Sequence, residues 1–301
     1  MINKAEEIKS FDKKKILIKE NLSKYSWFNT GGPAEIFFKP DNIDQLVTFL
    51  KNNKRNITIL GAGSNTLIRD GGVKGVTIKL GSKFSYTNLL SDNIIEVGAA
   101  TLDKKLSEFA KSNSLTGFEF LSCIPGSIGG AIIMNSGCYG YNISKILYSF
   151  LTIDFKGNTK EILAKDIIFS YRSTNLYKNL IIVSAKFKGF FKKKEEIEEE
   201  QKKLMDKKKI SQPSQIKTGG STFKNPMNKK AWELIKESEC DSLRVGKAKI
   251  SAKHCNFFVN ENFATSQEIE KLINQVKEKV YNKTKVKLEL EIKIIGHEKR
   301  K

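Results

Sequence analysis

The chain has 301 residues, 39% hydrophobic and 10% aromatic, enough for about two domains of roughly 150 residues with buried cores. Lys+Arg 53 against Asp+Glu 33 gives a net charge of +20, but Arg55, Arg69, Arg172, Arg244 and Arg300 are the only arginines; dispersed lysine without a nucleic-acid motif reads as compositional bias, not nucleic-acid binding. No stretch reaches the roughly 18 apolar residues of a membrane span, MINKAEEIKSFDKKK lacks the apolar segment of a signal peptide, and four cysteines and two histidines form no zinc spacing, so we expect a soluble, cytoplasmic protein without metal.

Glu35–Lys39 (EIFFK) reads as a strand stopped by Pro40. Asn42 then caps a helix with Gln45 three residues on, and Ile43, Leu46, Val47 and Leu50 form its apolar face. Ile57–Leu60 is the next strand and runs into Gly61-Ala62-Gly63-Ser64-Asn65, closing a compact βαβ-like unit with a glycine turn. A strand around Ile94–Val97 and a helix from Thr101 follow, the latter with Leu102, Leu106, Phe109 and Ala110 on one face. Next comes LSCIPGSIGGAIIMNSGCYG, too glycine-rich for a helix core and too apolar for an exposed loop.

Strands at Ile146–Phe155 and Leu180–Phe187 lead to the charged run 191–209. Glu198–Lys202 and Glu199–Lys203 pair there over a thin stripe of Ile197, Leu204 and Met205, as in a solvated connecting helix. The remainder reads as a smaller α+β unit. His254-Cys255 leads into NFFVN, a buried strand entered from a polar turn rather than a thiol nucleophile. Thr265 and Glu268 form a capping box for a helix with Ile269, Leu272, Ile273, Val276 and Val280 inside. Leu288, Leu290, Ile292 and Ile294 then alternate with Lys287, Glu289, Glu291 and Lys293, the period of a half-buried strand.

Gly61–Asn65 is not a dinucleotide fingerprint: Thr66 holds the third glycine position, no clear helix follows, and the Gly-Lys-Ser/Thr of a P-loop is missing. Alone it reads equally well as a plain tight turn. Its companion, Ile124-Pro125-Gly126-Ser127-Ile128-Gly129-Gly130, also lacks side-chain bulk. Two turns dense in backbone N–H and Ser/Asn donors suit a pyrophosphate, and the apolar surroundings of the second suit a flat, buried ring system.

ILGAGSN, IPGSIGG, NSGCYG, YRST and GGSTFKNP, in this order, resemble the UDP-N-acetylenolpyruvoylglucosamine reductase family, flavoenzymes of peptidoglycan precursor synthesis. The resemblance runs from FNTGGPA through SAKHCNFFVN to LELEIKIIG. It implies an α+β protein: a two-lobed FAD-binding domain of the vanillyl-alcohol-oxidase (PCMH) type over 21–190 (lobes 21–82 and 83–190), after an N-terminal extension 1–20. A connecting helix 191–209 and a substrate-binding domain 210–301 complete it. The implied cofactor residues are Gly61, Ala62, Gly63, Ser64, Asn65, Pro125, Gly126, Ser127, Gly129, Gly130, Asn135 and Gly137. Neither turn holds a histidine, so the FAD is expected to be non-covalent.

The implied reaction has two halves. NADPH reduces the flavin, and the enolpyruvyl ether of UDP-N-acetylglucosamine then takes a hydride at its terminal carbon, with charge spreading onto the substrate carboxylate before a proton arrives. Arg172, in Tyr171-Arg-Ser-Thr174, matches the family's catalytic arginine, and its fork suits a carboxylate. Ser221, in Gly219-Gly-Ser-Thr-Phe223, matches the proton donor, although by itself it reads as a turn residue. Glu291 matches the catalytic glutamate. Alternation alone places it in solvent, whereas work beside a substrate carboxylate requires it partly desolvated, with a raised pKa.

Asn225 and Lys209 correspond to substrate contacts, and the short Arg172–Ser221 interval points to the loopless subtype. Trp232 and Lys247 stand where glycine is usual and put local packing in question. A monomer is expected. The readings left open are another flavin oxidoreductase of the same fold and a basic nucleic-acid-binding protein.

Overall fold

In the computed structural model, which describes residues 15–177 and 179–299, the first strand is Ile16–Asn21, paired antiparallel with Pro33–Phe38. Val73–Ile78 and then Ile57–Ile59 complete a four-stranded sheet through parallel pairings. A boundary at 20/21 therefore cuts a strand whose Ile16 is buried in the first lobe, while residues 1–14 of the expected extension lie outside the described residues. The βαβ expectation needs a similar correction. Pro33–Phe38 and Ile57–Ile59 flank Val73–Ile78 instead of each other, because that nearly all-buried strand takes the centre of the sheet.

Helix α1 (Ile43–Asn52) starts as its sequence dictates. Asn42 Oδ1 accepts from Gln45 N at 2.9 Å and Gln45 Oε1 from Asp41 N at 2.9 Å, a reciprocal cap of the kind that contributes about 1 kcal/mol. Leu46, Phe49 and Leu50 are buried, with Phe49 stacked on Phe38 at 4.2 Å. The same core takes in Phe84, Ile153, Ile181 and Val183 from the second lobe, so the two lobes share one interior.

The second lobe is a five-stranded antiparallel sheet in the order Thr159–Leu163, Leu147–Asp154, Leu180–Lys188, Ile94–Gly98, Thr87–Ser91. Helix α2 (Asp103–Ser112) packs with it. The glycine-rich stretch does form a short helix, α3 (Ile128–Ile133), against the sequence expectation. Its glycine allows close packing: Gly129 N donates to Ala99 O at 3.0 Å, with Ala99 Cβ 3.3 Å from where a side chain would start. Helix α4 (Lys194–Ser211) is the connecting helix, but it is anchored. Ile197, Gln201 and Leu204 are buried, and Gln201 Nε2 donates to Ser107 Oγ at 3.1 Å and Glu108 Oε1 at 2.9 Å.

The C-terminal unit packs α5 (Ala231–Glu237) and α6 (Ser266–Thr284) on a three-stranded antiparallel sheet, Arg244–Val245, Ala248–Ser251 and His254–Asn260. The Thr265–Glu268 capping box is present in both directions. The two departures from glycine are accommodated. Trp232 meets His254 edge-on at 6.4 Å, and in the tight turn at 246–247 only Gly246 takes a left-handed φ (+53°).

The alternating segment keeps its burial pattern, with Leu288 and Ile292 inside, but only Lys293–Ile295 forms a ladder, parallel to Thr66–Ile68 of the first lobe. Upstream its backbone is held by a different segment: Lys224 N donates to Glu289 O and Glu291 N to Thr222 O, both at 2.9 Å. Splitting its partners between two units keeps it from being one continuous strand.

Candidate active site

Arg172 occupies a tight turn between the short strands Phe169–Ser170 and Ser173–Thr174, with a left-handed φ of +56°. Such a conformation is uncommon for a non-glycine residue, so surrounding contacts must hold it. Asn135 supplies one, donating from Nδ2 to Ser170 O at 3.1 Å while its Oδ1 accepts from Ser144 N at 3.2 Å. The Tyr171 ring lies 5.1 Å from Arg172 Cζ, a cation–π contact. The Arg172 turn, Asn135, Cys138 and Asn225 border a cleft of about 460 Å³.

Into this edge comes Glu291. Arg172 Nε donates to Glu291 Oε1 at 2.8 Å. The glutamate side chain is only 15% exposed, which rules out the solvent-facing position that alternation alone assigns. Burial pushes its carboxyl pKa up, against the pull of the Arg172 guanidinium and of Lys224. A buried pair of this kind is not chiefly a source of stability, because desolvation offsets much of the attraction. The pair sets Glu291, from the C-terminal unit, against the Arg172 side chain that borders the cleft.

Ser221 lies on the neighbouring segment. It bridges to Phe257, and the next residue, Thr222, accepts from Glu291 N. Gly219 and Gly220 are required for this approach: a Cβ on Gly219 would come 2.4 Å from the Phe28 ring, and Gly220 has φ +76°. Asn256, which carries no signal in the sequence, fixes the segment by accepting from Phe223 N at 2.9 Å and donating to Phe223 O at 2.8 Å. Asn225 N lies 3.4 Å from Tyr171 Oη, but its Oδ1 is used by Ala231 N at 3.0 Å. Lys209 is not brought to the cleft: its side chain is 72% exposed and pairs with Asp206 at 3.5 Å. Its neighbour Lys208 turns inward instead and donates to Cys123 O at 2.8 Å.

The two glycine turns face each other. A side chain on Gly61 would begin 3.1 Å from Ser127 Oγ, and one on Gly126 would begin 3.7 Å from Ser64 Oγ. Gly61, Pro125 and Gly130 are exposed, and Ala62, Ser64 and Gly126 half-buried, leaving an open cradle of backbone flanked by serine hydroxyls. Lys79 donates from Nζ to Gly61 O, and burial lowers its pKa. These residues fit a pyrophosphate-bearing cofactor such as FAD. Gly63 and Gly137 answer to packing, since a Cβ would meet Tyr25 O at 1.9 Å and Tyr141 O at 2.1 Å. Asn65 links the cradle to the acid: its Nδ2 donates to Glu291 O at 3.1 Å, and its carbonyl accepts from Lys293 N at 2.9 Å. Among the described residues no cluster of His, Cys, Asp and Glu could hold a metal ion.

Residues 34–162 match a model described as an FAD binding domain, and residues 212–295 match the C-terminal domain of UDP-N-acetylenolpyruvoylglucosamine reductase. The chain is 49% identical to the reductase of that name from Pelagibacter ubique, over 96% of this chain and 99% of that one. It is 45% identical to the one from Rickettsia bellii, over 92% of each. A crystal structure of the Thermus caldophilus enzyme superimposes with a TM-score of 0.82 at 30% identity, covering 93% of this chain and 98% of that one. Identity of this extent, spanning both the cradle and the Glu291 segment, makes the chain a member of the UDP-N-acetylenolpyruvoylglucosamine reductase family.

Proposed function

We infer that Arg172, Ser221 and Glu291 carry the reaction of the family in this chain, the NADPH-dependent reduction of UDP-N-acetylglucosamine enolpyruvate to UDP-N-acetylmuramate in peptidoglycan precursor synthesis. The observation behind this assignment is the Arg172–Glu291 pair, which joins the second lobe, where Arg172 borders the cleft, to the C-terminal unit. The facing turns Gly61–Asn65 and Pro125–Gly130 would hold FAD, which would supply the hydride transfer from NADPH to the terminal enolpyruvyl carbon.

The protein's own residues manage the charge that follows. Arg172 holds the substrate carboxylate and stabilises the enolate-like charge spreading onto it. As that carboxylate takes over the guanidinium, Glu291 loses its nearest counter-ion inside a largely buried site. Its carboxyl, already raised by burial, then takes up a proton and donates a hydrogen bond instead of repelling the substrate. Ser221 Oγ gives its proton to the carbon next to the one that received the hydride. Asn225, at the cleft edge, contacts the substrate diphosphate, and Lys209 plays at most an outer electrostatic part from its exposed position.

The FAD is dissociable, since neither turn offers a histidine for attachment. The first two lobes, to about residue 190, form the cofactor domain, α4 the connection, and the remainder the substrate domain. One chain supplies every residue named, which supports a monomer, and NADPH and nucleotide sugars are cytoplasmic reagents. The purified protein, kept free of air, should show flavin bands that bleach with NADPH and return when the enolpyruvyl sugar nucleotide is added. Bands that return only with some other acceptor would assign the chain to a different flavin oxidoreductase activity. A protein that neither holds nor binds FAD would overturn the reading.

A further inference from the structure

The turns of the cradle carry no charge of their own. Neither Gly61–Asn65 nor Pro125–Gly130 has a basic residue, so backbone N–H groups and hydroxyls alone would face the negative charge of a pyrophosphate. Strand pairing brings a cation from elsewhere. Pro33–Phe38, Ile57–Ile59 and Val73–Ile78 run parallel, and their carboxyl ends reach the same edge of the first-lobe sheet, the edge at which parallel sheets bind ligands. Ile57–Ile59 continues through Leu60 into the first turn, while Lys39 and Lys79 directly follow the other two strands. Lys79 N donates to Phe38 O at 3.0 Å and Leu60 N to Ile78 O at 2.9 Å, which keeps the three chain ends side by side.

The Lys79 side chain then reaches the turn itself, its Nζ donating to Gly61 O. Gly61 is the residue that stands against the second turn, its Cβ position 3.1 Å from Ser127 Oγ. The carbonyl occupies one of the three ammonium donors. Among the described residues no carboxylate comes within ion-pair reach of this lysine; Asp41, two residues past Lys39, is paired with Lys15. Burial, and after it the like charge of Lys39, lowers the Lys79 pKa. A half-buried cation beside a like charge costs folding free energy unless an anion meets it.

We propose that Lys79 supplies the positive charge of the cofactor cradle and binds the pyrophosphate of FAD, a role that rests on the facing turns as the FAD site. The test is the FAD dissociation constant of the full-length protein, measured by flavin fluorescence at low and high salt. Lys79→Met keeps the chain length but not the charge, and should raise that constant about 10–100-fold, the worth of a charged hydrogen bond. The gap from the parent should narrow as salt is added. Lys79→Arg, which keeps the charge, should bind FAD more tightly than Lys79→Met. Without FAD, Lys79→Met should unfold at a urea midpoint no lower than that of the parent, because the cation it removes had no counter-ion. A lysine that merely fastened the Gly61 turn would instead lower that midpoint, and weaker FAD binding matched by such a loss would overturn the proposal. An unchanged FAD affinity with a higher NADPH requirement for flavin reduction would also overturn it, and would assign the lysine to the phosphates of NADPH. A parent that binds FAD no better than Lys79→Met would refute the lysine's role alone, whereas a parent that binds no FAD would refute the site and the role together.

Discussion

Arg172 and Asp103 show how differently two charged residues are used within one cofactor domain. Arg172 keeps a left-handed backbone and a bond to Glu291 at the cleft. Arg172→Lys retains the charge but not the planar fork, so reoxidation of the reduced flavin by the sugar nucleotide should slow by roughly 10²–10³-fold, with reduction by NADPH little changed. Stopped-flow absorbance follows the two phases separately. Asp103 is fully buried at the start of α2, neither carboxyl oxygen has a hydrogen-bond partner, and burial alone pushes its pKa well up. The folded protein therefore binds this proton more tightly than the unfolded chain, and stability falls as pH rises from the ordinary aspartate range, by about 1.4 kcal/mol per unit until the native carboxyl ionises. Asp103→Asn does not titrate, so its stability relative to the parent should climb with pH from about 4 upward. Urea unfolding across that range measures this, and a difference flat in pH would contradict it. The sequence shows Asp103 only as an acid in a first helical turn. Its burial comes from the Gly126 turn crossing over it, with Asp103 N donating to Gly126 O at 3.2 Å.

The elements divide the same way between local and distant causes. The caps of α1 and α6 were legible because Asn42–Gln45 and Thr265–Glu268 carry their partners within one turn. The second cap of α6 was not. Asp70, in the first lobe, accepts from Ser266 N and Gln267 N at 3.0 Å each, and Arg69 forks onto Glu270 at 2.9 and 2.7 Å. Asp70→Ala should lower stability by about 1–2 kcal/mol, read from the denaturant midpoint, and no change there would mean that the Thr265 box caps the helix unaided. The period of residues 287–294 correctly gave the buried faces of Leu288 and Ile292. It could not show that the segment pairs with Thr222–Lys224 at one end and Thr66–Ile68 at the other, which is what draws Glu291 out of solvent.

Across the whole molecule, the C-terminal unit is fastened to the first lobe, while α4 is fastened to the second. Phe28 lies in the C-terminal core, Asn260 Nδ2 donates to Phe28 O at 2.7 Å, and Lys293–Ile295 joins the first-lobe strand. Arg172 belongs to the second lobe, so the Arg172–Glu291 pair spans units that only the complete fold brings together. The order of the short motifs was enough to indicate the family, because each motif is a local backbone requirement. The long-range contacts that desolvate Glu291 and position Ser221 leave no local trace in the sequence. The most direct test of this assembly is to time both half-reactions in Ser221→Ala without air. NADPH reduction of the flavin should stay close to the parent rate, and reoxidation by the enolpyruvyl sugar nucleotide should slow about 10²–10⁴-fold. Equal slowing of both halves, or none in the second, would contradict Ser221 as the proton donor.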